Sequence, residues 1–150
     1  MHKGLAIERP NAVVDATCHP LLVVRLSGSP DAADFTALAD YFERLLERGD
    51  RVVMFVDFRE THRLHLMETT RYWFGWLTHH RNVVDRIAAA VVGVVQRKGV
   101  ARAVNLLAKL APLSVPLRVV GEAQRGLDWL YERAAREGLE LVDRDSLQLA

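Results

Sequence analysis

The sequence predicts a single α/β domain with a mostly parallel sheet, and three observations carry that prediction. Arg51–Phe58 (RVVMFVDF) and Ile87–Val95 (IAAAVVGVV) are apolar at odd and even positions alike, as strands covered on both faces are. They alternate with runs whose apolar residues recur every three or four positions, the period of a helix. Glycine and proline punctuate the joins between these runs.

At the N-terminal end, Asn11–Thr17 (NAVVDAT) and Leu21–Ser27 (LLVVRLS) flank Cys18-His-Pro20, two β-rich runs that read as a hairpin. Ser29 is placed to cap a helix, with Pro30 in its first turn. Phe35, Leu38, Ala39, Phe42, Leu45 and Leu46 form its inward stripe, and Asp34, Asp40, Glu43, Arg44 and Glu47 its wet side. Gly49 suits the left-handed conformation that ends a helix. After the strand Arg51–Phe58, Leu66 to about Val84 reads as a second helix, with Leu66, Thr70, Trp73, Phe74 and Leu77 on one stripe. The strand Ile87–Val95 and a third helix, Gly99 to about Leu110, follow, the helix bounded by Pro112 and Pro116. Leu117–Val120 is a short strand, and Glu122–Glu137 a fourth helix closed by Gly138. The tail, residues 139–150, offers one more strand in Leu139–Val142 (LELV). The expected order is a hairpin followed by right-handed β-α units, with a core over residues 11–137.

A chain of 150 residues is long enough to bury roughly 70% of its unfolded surface in one domain. Half of the residues are hydrophobic and 26% are charged, which is ordinary soluble composition. Apolar runs such as Ala88–Val95 are far too short to span a bilayer. The N-terminal segment lacks the pattern of a signal peptide, so a cytoplasmic location is expected. Cys18 is the single cysteine; it excludes an internal disulfide and is expected to be a small strand residue rather than a reactive thiol. Between Arg81 and Arg118 seven basic residues face one acid, Asp85. Such a basic stretch can attract anions, but its charges are spread along the chain without interleaved aromatics, so nucleic acid is not an expected partner.

The layout resembles the STAS-like family, the fold of anti-sigma-factor antagonists and of sulfate-transporter cytoplasmic domains, and in particular its SpoIIAA-like or STAS/SEC14-like branch. The likeness runs from about Leu21 to Tyr131. It rests on the strand ending Val56-Asp-Phe-Arg59, on His79-His-Arg81 followed by Val84-Asp-Arg-Ile-Ala88, and on Leu117-Arg-Val-Val-Gly-Glu-Ala123 leading to Leu127-Asp-Trp-Leu130. The resemblance implies a regulatory domain that works through protein partners. Anti-sigma-factor antagonists carry an Asp-Ser-Ser-Gly-like motif, with a phosphorylated serine, at the start of the helix after the central strand. Here that region is Thr61-His-Arg-Leu-His-Leu-Met-Glu-Thr-Thr70, without serine or glycine. Thr61, Thr69 and Thr70 are the only hydroxyls there that could take the role, and the phospho-switch is not expected.

Several residues are candidates for a site. Asp57 stands where a buried strand opens into a loop, at the sheet edge where ligands of open α/β folds collect. Its structural reading, favoured on residue type, is a carboxylate that accepts from loop amides such as those of Glu60 or Thr61. Tyr72 and Trp76 point sideways from the inward stripe of the second helix, and Leu106 and Leu110 exceed the inward needs of the third. These extra apolar residues predict a pocket between the two helices or an interface with a partner or a second copy. Arg97, Lys98 and Arg102 open the third helix after a strand, where backbone amides favour anions; no P-loop or dinucleotide pattern accompanies them. His62, His65, His79 and His80 lack the convergent spacing of a metal site, and adjacent His79 and His80 project about 100° apart on a helix. Neither cofactor nor metal is expected. No spacing defends a nucleophile–base pair around Ser27, Ser29, Ser114 or Ser146, so a non-enzymatic domain is the leading expectation and a carrier of small apolar or lipid-like ligands the alternative.

Overall fold

The computed structural model describes residues 5–62, 66–97, 101, 102, 105 and 115–147. In chain order the strands are β1 (Leu5–Arg9), β2 (Ala12–Asp15), β3 (Leu21–Gly28), β4 (Val52–Thr61), β5 (Ala88–Val94) and β6 (Leu117–Val120). The helices are α1 (Ala32–Arg48), α2 (Leu66–His79), α3 (Arg81–Ile87) and α4 (Ala123–Arg136), with a short 3₁₀ turn at Arg144–Ser146. The strands lie side by side in sequence order, β1 to β6. The first three form an antiparallel meander, and β3 through β6 are parallel. The expected hairpin is therefore present, with one strand more: Leu5–Arg9 pairs along β2 with an irregularity between Leu5 and Ile7.

Strand parity sorts the side chains between the two faces, because successive residues of a strand point to opposite sides. Leu21, Val23, Val53, Phe55, Ala90 and Val92 pack beneath α4 with Leu127, Leu130 and Ala134. Leu22, Val24, Leu26 and Val52 face the other way, onto Phe35, Leu38, Tyr41 and Leu45 of α1. A Cβ on Gly126 of α4 would stand 3.3 Å from Val120 and Val92 side-chain atoms and 3.5 Å from Phe55. The missing side chain is what lets α4 sit this close to the sheet.

The start of α1 departs from expectation. Its cap is Asp31, whose carboxylate accepts from the Asp34 amide at 3.0 Å while the Asp34 carboxylate accepts from the Asp31 amide at 2.9 Å. That reciprocal box outcompetes Ser29, and it leaves Pro30 outside the helix. Asp34 is not on the wet side either: it is only 3% exposed and accepts from Arg9 Nε at 2.8 Å. Burial pushes the Asp34 carboxyl up, but the Arg9 and Asp31 hydrogen bonds outweigh it and hold the group below its ordinary range. One carboxylate thus ties β1 to α1. Because Arg9 is partly exposed and can rehydrate, Asp34→Ala is expected to cost about 2 kcal/mol, mostly through the lost cap and the buried half of the pair. Urea unfolding checks this, and a loss below a few tenths would remove the box from the account. At the other end Gly49 ends α1 at φ 73°, its amide donating to Leu45 O.

Two further elements differ from the sequence reading. The second helix is broken at His80 into α2 and α3; the His80 side chain makes no capping hydrogen bond, and its ring lies tilted against Trp76 at a centroid distance of 4.6 Å. The tail forms no strand at Leu139–Val142. Side-chain packing holds it instead, with Leu139, Leu141 and Leu147 against the α4 face and the Tyr131 hydroxyl donating to Val142 O at 2.7 Å. The predicted third helix falls largely outside the described residues; Ala101, Arg102 and Asn105 have helical backbone. The Asn105 side-chain amide donates to Val119 O and accepts from Val119 N, both at 2.8 Å. It occupies backbone groups that the outer strand would otherwise leave without a partner.

Candidate ligand-binding cavity

β4 puts Val52, Met54, Val56 and Phe58 on the face opposite α4, and β5 adds Val91 and Gly93, with Val95 just beyond its end. These residues floor a cavity of about 220 Å³, roofed by Phe42 and Leu46 of α1 and by Trp73, Trp76 and Leu77 of α2. Val84 and Ile87 of α3 close one side, and Val115, Leu117 and Val119 another. No charged residue is among the described lining, and Thr69 is the sole hydroxyl. Gly93 contributes space directly, since a Cβ there would meet Phe58 and Val119 atoms at 3.5 Å.

The roof is an aromatic lattice. Trp73 meets Phe35, Phe42 and Trp76 edge-on at centroid distances of 5.7 to 6.0 Å, the arrangement that ring quadrupoles favour. Trp76 also meets Phe42 at 6.0 Å and His80 at 4.6 Å, and His80 Nε2 lies 3.3 Å from Glu43 Oε1. The indole Nε1 of Trp76 is buried and finds no acceptor among the described residues. A buried N–H without a partner costs about 1–3 kcal/mol.

The cavity gathers few of the residues singled out from the sequence. Trp76 and Thr69 line it; Thr69 is buried. Tyr72 sits on the outer side of α2, 39% exposed, with its ring stacked on Phe35 at 5.8 Å. Arg97 and Arg102 are exposed and are not part of the wall. Lys98, Leu106 and Leu110, and the side chain of Thr70, lie outside the described residues. Thr69, Trp73, Trp76, Leu77 and Val84 of the expected second helix line the space, together with α1 and the sheet, while the expected third helix falls largely outside the described residues. Among the described residues no group of three or more His, Cys, Asp or Glu is placed to hold a metal.

Asp57 belongs to the opposite face. It shares parity with Val53 and Phe55, and β4 does not end there but runs on to Thr61. Its carboxylate accepts from the Arg59 amide and Nε at 2.9 Å through Oδ1, and from Arg59 Nη2 at 2.9 Å through Oδ2. The expected contacts with Glu60 or Thr61 amides are thus replaced by a clamp two residues along. The clamp lies where the β3–β4 register shifts, Arg25 opposing Asp57 but Ser27 opposing Glu60, so the carboxylate holds a bulge. Burial pushes the Asp57 carboxyl up, yet the Arg59 hydrogen bonds and the nearby Arg25 charge more than compensate and lower it.

A meander feeding a parallel sheet, with helices on both faces, defines a STAS-like α/β domain. The chain belongs to the SpoIIAA-like family, whose family model matches residues 21–131. Its fold is similar to the crystal structure of an uncharacterised Shewanella loihica PV-4 protein with a SpoIIAA-like fold. The two share 17% identity at a TM-score of 0.54, over 84% of this chain and 91% of that one. Among curated proteins there is no significant match. No described helix is long and apolar enough to cross a membrane.

Proposed function

We propose that this is a non-enzymatic binding domain that takes a small apolar molecule between its α1–α2 roof and its sheet, and regulates or carries through that binding. The observation that carries the reading is the cavity: about 220 Å³ of space with a wall free of charged side chains among the described residues. Ligand sites are mostly apolar clefts of this kind, and a charged group gains nothing from a wall without countercharge. The non-enzymatic part rests on Asp57, the acid best placed by sequence for chemistry. It faces away from the cavity and is engaged by Arg59. Burial of Thr69 also argues against a phospho-switch at that hydroxyl.

A ligand that binds only the folded state stabilises it by mass action, about 2.7 kcal/mol at a hundred times its Kd. A panel of neutral hydrocarbons and alcohols, read by thermal unfolding and by native mass spectrometry, is expected to contain compounds that raise Tm and remain bound at one per chain. A panel with no Tm shift and no retained compound would sink the reading.

A protein-interaction role has one observation of its own. Tyr72 is the exposed large hydrophobic side chain among the described residues, held rigid against Phe35 and Trp73, and aromatic anchors of this kind often dominate interfaces. In sedimentation velocity a dimer is expected that Tyr72→Asp converts to monomer; a monomeric wild type removes the self-association version.

A further inference from the structure

We infer that α2 is a hinged lid: it detaches as a unit about His80 while α1, α3 and α4 stay seated, and its detachment gates the cavity, a role that rests on the apolar-ligand reading. Burial separates α2 from the other helices. Of its described side chains Thr69 alone is buried, while Trp73, Trp76 and Leu77 are half-buried. In α1 Phe35, Leu38, Tyr41 and Leu45 are buried, in α4 Leu127, Leu130 and Ala134, and even the short α3 buries Val84 and Ile87. Position explains the difference, since α2 lies across the cavity from the sheet. Ring contacts tie it to α1, with Tyr72 and Trp73 on Phe35 and Trp73 and Trp76 on Phe42. An element with few buried apolar contacts opens at a lower free energy than the domain unfolds. Gly75, exposed in the middle of α2, weakens the helix further.

The hinge is the single residue between α2 and α3. His80 leaves the helical region, at φ −101° and ψ 15°, yet serves both helices. Its amide donates to Trp76 O and its carbonyl accepts from the Val83 and Val84 amides, all at 3.0 Å. A change in its dihedrals swings α2, while α3 stays seated through Val84 and Ile87 and continues into β5. Residues at the ends of elements are where hinge motion concentrates. The His80 side chain keeps the pivot end in place, with Nε2 3.3 Å from Glu43 Oε1 of α1. Once detached, a helix of 14 residues is marginal in water, so opening exposes its amides to solvent exchange.

Hydrogen exchange of the full chain, read by mass spectrometry under native conditions, tests this. Peptides from α2 are expected to be roughly a hundredfold less protected than those from α1 and α4. In Gly75→Ala, whose added Cβ meets nothing within 4 Å, α2 alone is expected to gain roughly fivefold protection. In Phe55→Ala the α1 and α4 peptides are expected to lose protection with global stability while α2 keeps its own, as a local opening requires. Prodan, a neutral apolar dye whose emission reports binding separately, is expected to slow α2 exchange at saturation. Protection of α2 equal to that of α1 and α4 overturns the lid and leaves the apolar-ligand reading standing. An α2 that exchanges at an unchanged rate in saturating dye overturns its role as the gate. Absence of dye binding sinks the gate together with the reading beneath it, whatever the protection of α2.

Discussion

Phe55→Ala is expected to remove about 4 kcal/mol of stability. Phe55 is fully buried at the middle of β4, on the α4 face, among the largest side chains with no exposure at all. Its ring faces Gly126 of α4, where a Cβ would stand 3.5 Å from it, so helix and sheet are closely packed at this point. The surroundings therefore cannot collapse into the vacated volume, and truncation of a buried Phe in such a setting costs about 3–5 kcal/mol. That is a large share of the roughly 5–15 kcal/mol that holds a domain of this size. Val56→Ala, one residue along, is the informative partner. Val56 is half-buried and borders a cavity that already exists, so its truncation is expected to cost under about 1 kcal/mol. Urea unfolding of both variants measures the difference between the two faces of one strand. Equal losses would mean that the cavity side is packed as tightly as the α4 side, and the binding site would go with it.

The elements that sequence alone made legible are those whose signal is local. The stripe of α1, the left-handed Gly49 that ends it, and the doubly apolar β4 and β5 are each fixed by residues within one or two turns of themselves. Asp34 was illegible for the opposite reason: an acid near a helix start reads as solvated, and its burial depends on Arg9, 25 residues away. The break at His80 was illegible too, because nothing in the apolar spacing of Leu66–Val84 interrupts the period. The tail read as a strand because Leu139–Val142 alternates, yet its leucines pack against α4 and no neighbouring strand pairs with them. The cavity itself has no periodicity to read, being the space that several elements leave between them; Trp76 was found only as an apolar residue surplus to its own stripe. Asp57 carried a signal that counting could have used. With Val53 and Phe55 it alternates against Met54 and Val56, and an arginine two residues later on the same face is positioned to hold it.

Asp57→Ala is expected to cost about 2 kcal/mol near neutral pH, to flatten the acid limb of the stability curve, and to leave ligand binding unchanged within twofold. Asp57 is 6% exposed and accepts both a backbone and a guanidinium donor of Arg59. Removing one partner of a well-buried pair costs about 3–5 kcal/mol, but the Arg59 side chain is 24% exposed and can turn to water, which reduces the loss. The sign of the pH effect follows from the direction of the shift. The folded carboxyl is held below its unfolded value, so its contribution is fully present above an unfolded pKa of about 4 and is lost as pH falls through that value toward the folded one. Asp34 is lowered in the same direction, so the variant keeps part of the acid dependence. Unfolding free energies at pH 7 and pH 3 are therefore expected to differ less in Asp57→Ala than in wild type, with a residual slope that Asp34→Ala removes in the double variant. Binding is a separate readout, because parity puts Asp57 beneath the α4 face and the ligand against Met54 and Val56. A variant that kept its stability but lost the ligand would place Asp57 in the site after all, and would return the reading to a functional carboxylate at the sheet edge.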